Sequence, residues 1–239
     1  GCTEGVLLEA QPEGPAAGSR YLLNETGELL AARPAGALPD QVSRHLRPLA
    51  ERPRPYVTHG VSYLPHLPRC RLIIVGAGHV GQKVAELAAD VEFDVWVVDD
   101  RHEYCSPERF PRARRRIVGP IDDALQQLRI DRDTYCIIVT RGHNHDEEAL
   151  FHLAETPARY VGLIGSKRKI KLIFRDLLEQ GISEQALRRV YAPLGIEIGS
   201  QTVPEIAVSI VAELVAHRNL GTLPERVRGA TLMDALFDS

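Results

Sequence analysis

The sequence predicts an α/β fold, a doubly wound parallel sheet preceded by a small N-terminal segment. Three observations predict it. From position 71 onward, short β-branched runs alternate with helical segments, the pattern of a parallel sheet covered on both faces. Leu72-Ile73-Ile74-Val75 then runs directly into Gly76-Ala77-Gly78-His79-Val80-Gly81, so a G-x-G-x-x-G motif follows a strand and opens a helix. The next strand ends in Asp99-Asp100, about 20 residues on, the interval at which an acid meets a ribose hydroxyl. Together these make the sheet Rossmann-like.

The elements follow in order. Strands are predicted over 72–75, 95–98, 116–118, 135–139 and 160–164, with a sixth over 190–192. Helices are predicted over 79–90 and after Asp122. A third opens at Asn144, where Glu147 three residues on gives capping-box spacing. A fourth, 166–180, closes at Gly181, a suitable left-handed C-cap. The last starts at Thr202, with Pro204 in its first turn and Glu205 at capping-box spacing, and its Ile206, Val208, Ile210, Val211, Leu214 and Val215 predict burial. Ahead of the sheet, residues 1–33 carry strand-like pieces at 5–9 and 20–24 and the turn signal Asn24-Glu25-Thr26-Gly27. So short a piece reads as the remnant of a domain, or as an arm packed on the rest or on the second protomer of a homodimer. Pro34, Pro39, Pro48, Pro53, Pro55, Pro65 and Pro68 make 34–69 read as a connector, because each removes a donor and fixes φ. The Rossmann-like domain is expected over 70–219 and a tail over 220–239.

Composition narrows the function. The 239 residues, 44% hydrophobic and 26% charged, suit one large or two modest domains. A net charge of −3 with both signs interspersed gives no field for a phosphate backbone, so no nucleic-acid partner is expected. No apolar run approaches the roughly 18 residues of a membrane span, and the first residues lack a leader's pattern, so no membrane partner and a cytoplasmic location are expected. Cys2, Cys70, Cys105 and Cys136 show neither zinc-site nor disulfide spacing. They are expected as reduced thiols, Cys136 as a small core residue.

Each motif glycine has a mechanical task. Gly76 permits the tight turn, Gly78 lets backbone approach a pyrophosphate, and Gly81 lets the helix pack on the sheet. The helix N-terminus then offers N–H groups and a positive dipole end to an anion. Asp99 and Asp100 are candidate partners of a ribose hydroxyl, with a plain alternative as turn formers before Arg101; as carboxylates they favour NAD(H)-like or adenosine ligands over NADP(H). His79, in the first helical turn, is placed either to touch a ligand or to face solvent. Two further loops should leave the same sheet edge. Thr140-Arg141-Gly142-His143-Asn144-His145-Asp146 is dense in polar and titratable groups. Gly165-Ser166-Lys167-Arg168-Lys169 sets three bases in a first helical turn, where the dipole disfavours cations unless an anion intervenes. A solvated basic face is the plain alternative there. His143, His145 and Asp146, were they metal ligands, would lack a distant fourth partner, and no metal site is assigned.

These residues resemble a known family. Gly76-Ala77-Gly78-His79-Val80-Gly81, Val97-Val98-Asp99-Asp100-Arg101, Pro107-Glu108-Arg109-Phe110-Pro111, Thr140-Arg141-Gly142-His143, Tyr160-Val161-Gly162-Leu163-Ile164-Gly165-Ser166-Lys167-Arg168, Ala192-Pro193-Leu194-Gly195-Ile196-Glu197-Ile198-Gly199 and Thr202-Val203-Pro204-Glu205-Ile206-Ala207 are similar to the C-terminal Rossmann domain of XdhC/CoxI proteins. Gly1-Cys2-Thr3-Glu4-Gly5 resembles the end of that family's Gly-Gly-Cys-Val-Glu motif, whose domain would extend upstream, so the chain reads as truncated there. The resemblance implies an accessory protein that binds molybdenum cofactor and assists maturation of xanthine dehydrogenase-type molybdenum hydroxylases, a carrier rather than a catalyst. It implies cofactor contacts at Gly76, Gly78, His79, Gly81, Asp99, Asp100, Thr140, Arg141, His143, Gly165, Ser166, Lys167 and Arg168, and at Cys2 toward the molybdenum dithiolene. Two other readings stay open: an NAD(H)-dependent oxidoreductase, which would lack a recognisable substrate domain, and a nucleotide-sensing regulatory module of the TrkA type.

Overall fold

In the computed structural model the chain divides into two compact units, Gly1–Pro68 and a second from Arg69 onward. The structure describes residues 1–10 and 14–221; most of the expected tail, 222–239, lies outside them.

The first unit is an antiparallel sheet of β1 (Cys2–Leu7), β2 (Arg20–Asn24), β3 (Leu29–Arg33), β4 (Tyr56–Thr58) and β5 (Val61–His66), in the order β3-β2-β1-β5-β4, with a short helix α1 (Asp40–Arg44). Leu7, Tyr21, Leu23, Val42, Val61 and Tyr63 form its core. This corrects the division at 33/34. The stretch 34–69 is no connector: β5 pairs with β1 along its length, so both stretches build one sheet. The prolines sit mostly in irregular segments between elements, Pro39 just ahead of α1 and Pro65 within β5. The β4–β5 hairpin turns at His59 and Gly60, both with positive φ (47° and 69°), a two-residue turn whose twist matches the flanking strands. Asn24 performs as its turn signal predicts, its Oδ1 accepting from the N–H groups of Thr26 and Glu28.

The second unit is a six-stranded sheet of β6 (Arg71–Val75), β7 (Asp94–Asp99), β8 (Arg115–Val118), β9 (Thr134–Ile138), β10 (Tyr160–Leu163) and β11 (Val190–Tyr191). Every pairing is parallel, in the order β11-β10-β9-β6-β7-β8. Both faces are covered. Ile73, Val75, Cys136 and Ile138 pack into one core with α3 (Ile121–Gln126), α4 (His143–Leu153) and α5 (Lys167–Glu179), where Cys136 is fully buried. Leu72, Ile74, Val95, Val97 and Ile137 pack into the other with α2 (His79–Asp90) and α7 (Val203–Leu220). Alternate residues of one strand thus serve opposite layers, which is why these strands read as unbroken apolar runs.

Helix ends follow local chemistry. The Ser166 side chain accepts from Lys169 N, and Thr202 with Glu205 forms a complete capping box at α7. The start of α4 differs from expectation. Gly142, at φ 100°, precedes the first helical residue, His143, and Asn144 makes no cap. Val208 on α7 is exposed, against the expected burial. The one-turn helix α6 (Glu184–Arg188), capped by Ser183, had no apolar periodicity long enough to predict it.

Candidate functional site at the sheet's switch point

Chain order reverses between β6 and β9, because β7 and β8 extend to one side of β6 while β9, β10 and β11 extend to the other. In open parallel sheets ligands collect at such a point, beside the loops that leave the carboxyl ends of the two strands. The loops are the glycine turn and the Thr140 segment.

Gly76 adopts φ 115°, and a Cβ there would lie 2.5 Å from Val139 O and 2.9 Å from Thr140 N, so only glycine lets the two loops touch. Gly81 is as constrained: a Cβ would lie 2.0 Å from Gly76 O, where α2 crosses the turn. Gly78 is the contrast. It is the N-cap of α2, and a Cβ there meets nothing within 4 Å, leaving open space at the helix N-terminus. His79 is exposed in the first turn.

Asp99 is placed differently from expectation. Buried at the end of β7, its Oδ2 accepts from Ala77 N (2.6 Å) and Arg101 Nη2 (2.9 Å), and its Oδ1 from Arg101 N (3.0 Å) and Nε (2.8 Å). Burial raises the carboxyl's pKa, but the bonds from Arg101 and the Ala77 amide outweigh it and hold it below the ordinary range. That corrects the reading of Asp99 as a free ribose acceptor; it is the clamp that shapes the glycine turn. Asp100 is the exposed acid, 3.6 Å from Arg101 Nε and 3.8 Å from Arg141 Nη2. Sequence reasoning missed Arg109. Its Nη2 donates to Ala77 O at 3.3 Å, and its guanidinium and that of Arg101 both lie over the Tyr104 ring, at 5.1 Å and 3.8 Å. Its place in the Pro107–Pro111 motif, inside the resemblance, was the available signal. Three arginines therefore border the turn, so the two acids do not set a negative field alone.

The other two loops are joined underneath. Asp146, fully buried on α4, accepts from Thr140 Oγ1 and from Lys169 Nζ on α5. Burial raises this carboxyl's pKa in spite of the lysine and the hydroxyl. Lys169 thus turns inward, while Ser166, Lys167 and Arg168 stay exposed. Lys167 and Arg168 line a groove along α5 with Lys171, Leu172 and Arg175. The trio His143, His145 and Asp146 is not brought together. His143 faces Glu147 and Asp176, and His145 Nδ1 lies 3.5 Å from Glu148 Oε2. Cys2 is half-buried in β1, opposite Asn24 and His66, in the first unit.

The chain's second unit coincides with a known sequence family: the XdhC Rossmann domain matches residues 72–214. Among curated proteins, an uncharacterized protein YqeB of Escherichia coli K12 is 39% identical over 155 residues, covering 64% of this chain and 28% of the relative. A probable subunit of xanthine dehydrogenase from Bacillus subtilis 168 is 32% identical, covering 63% and 44%. The molybdenum cofactor insertion chaperone PaoD of E. coli K12 is 28% identical, covering 63% and 41%. The chain therefore spans less than half the length of these relatives. A crystal structure of a xanthine dehydrogenase from Bacillus halodurans superposes with a TM-score of 0.70 at 25% identity, covering 99% of this chain and 64% of that one.

Proposed function

The chain belongs to the XdhC family through its Rossmann domain, and on that premise we propose that it binds molybdenum cofactor at the β6/β9 switch point and assists maturation of xanthine dehydrogenase-type molybdenum hydroxylases. The observation that carries this reading is the open N-terminus of α2 at Gly78, two residues beyond the Gly76 turn that abuts Val139 and Thr140. Molybdenum cofactor carries a phosphate on its pterin, and its molybdenum would supply the redox chemistry in a client enzyme.

The chain's own residues account for binding and orientation. The amides of the first turn of α2, from Gly78 onward, and the dipole of that helix attract the phosphate. Arg101, Arg109 and Arg141 add positive charge at the rim, and Asp100 remains an acceptor for a ribose hydroxyl or a pterin N–H. Asp99 holds the turn in its binding shape, and Asp146 ties the loops of Thr140 and Ser166 together, so the site is set before a ligand arrives. Lys167 and Arg168 supply longer-range attraction. Two of the relatives support the same assignment by name, PaoD as a molybdenum cofactor insertion chaperone and the B. subtilis protein as a probable part of xanthine dehydrogenase.

The test is the small molecule that copurifies with the protein, identified by mass spectrometry. A pterin is expected. Its occupancy should fall in Lys167→Glu/Arg168→Glu, and more at low salt than at high salt. A nicotinamide dinucleotide would instead indicate an oxidoreductase, and an adenine nucleotide a sensor.

A further inference from the structure

Away from the glycine turn, three ligand-type side chains converge from two helices. His143 opens α4, Glu147 stands one turn further along it, and Asp176 comes from α5. His143 Nε2 lies 3.4 Å from Glu147 Oε2 and 3.6 Å from Asp176 Oδ2, and the three donor atoms all fall within 4.8 Å of one another. The first two separations exceed the roughly 2.7–3.2 Å of an N–H···O hydrogen bond. They resemble the edge of a tetrahedron, about 3.4 Å when imidazole nitrogen and carboxylate oxygen each stand about 2.1 Å from a central ion.

The remaining carboxylate oxygens have neighbours of their own. Gln180 Nε2 donates to Glu147 Oε1 at 2.6 Å, and Arg175 Nε lies 3.5 Å from Asp176 Oδ1. In each carboxylate it is the other oxygen that faces His143. Outer contacts of this kind orient ligands around an ion. The side chains are 24–36% exposed, so water can reach the site and complete the shell.

We propose that His143, Glu147 and Asp176 bind one first-row divalent cation of the zinc type, with solvent at the fourth position. An imidazole beside two carboxylates suits such ions, whereas magnesium and calcium take oxygen ligands alone. The ion fastens α4 to α5 beside the loop that leaves β9. This site needs no pterin, so its test stands apart from the cofactor reading.

The experiment titrates chelator-treated full chain with Zn²⁺ by calorimetry and with Co²⁺ by absorption. One saturable equivalent is expected, with cobalt d–d bands and without the thiolate charge-transfer band that cysteine ligation would add. Gln180→Ala, which removes only an outer contact, should weaken binding about tenfold. His143→Ala and Asp176→Asn should weaken it more, with unchanged circular dichroism; the near-isosteric Glu147→Gln gives the same readout should either fail to fold. Absence of saturable binding to the native chain overturns the proposal. So do equal affinities in the variants, or a thiolate band.

Discussion

Asp99 and Asp100 are neighbours of identical chemistry with different tasks, and only their surroundings separate them. Asp99 is 3% exposed and accepts four hydrogen bonds, three of them from Arg101, whereas Asp100 remains at the surface. Motif spacing located the pair but could not assign the roles, because which carboxylate turns inward depends on where Arg101 and the Ala77 amide fall in space. Lys169 was hidden in the same way: within a run of bases its sequence gives no sign that it alone reaches the buried Asp146. Removing Arg101 strands a buried carboxylate, so Arg101→Met should destabilise the Rossmann unit by about 3 kcal/mol. Adding Asp99→Asn should recover part of that loss, because the remaining side chain no longer carries a charge. Chemical denaturation of the two single variants and the double one measures the coupling, and additive losses would contradict a clamp.

Secondary structure was most readable where apolar periodicity was long. The strands of the second unit and α2 lie within a residue or so of the predicted positions. The errors have physical causes. The hairpin of β4 and β5 is hard to read from sequence because its positive-φ turn is His59-Gly60 rather than the commoner Asn-Gly, and because the alternation of buried Val61 and Tyr63 stands among prolines. The start of α4 was misplaced because Gly142, not an Asn side chain, ends the preceding loop. At α7 local chemistry and structure agree: Thr202 Oγ1 accepts from Glu205 N, and the Glu205 carboxylate accepts from Gln201 N and Thr202 N. Thr202→Ala should therefore cost about 1 kcal/mol in urea denaturation, and Thr202→Ser should recover most of it.

Taken whole, the second unit carries the glycine turn at its switch point and a buried polar layer at the opposite ends of β9 and β10. There Tyr160 OH donates to Glu213, and His217 Nδ1 lies 3.2 Å from Tyr135 OH. Burial lowers His217 to about 4, against 6.5 when exposed to water. The unfolded chain thus takes up a proton that the folded chain refuses. Stability from this residue is complete above pH 6.5 and declines as pH falls toward 4, by about 3 kcal/mol across the window. His217→Phe should flatten that slope in denaturation at about pH 7.5 and about pH 4.5; an unchanged slope would refute the assignment.

Gly78 is where a bound phosphate would sit closest to the backbone. Calorimetric titration of the native chain and of Gly78→Val with molybdopterin released from a molybdenum hydroxylase tests it, since a Cβ at this position meets nothing within 4 Å. The native chain should bind with one-to-one stoichiometry and the variant at least about tenfold more weakly, a loss of about 1.4 kcal/mol or more. Equal affinity in the two proteins would contradict a phosphate seated on that helix end.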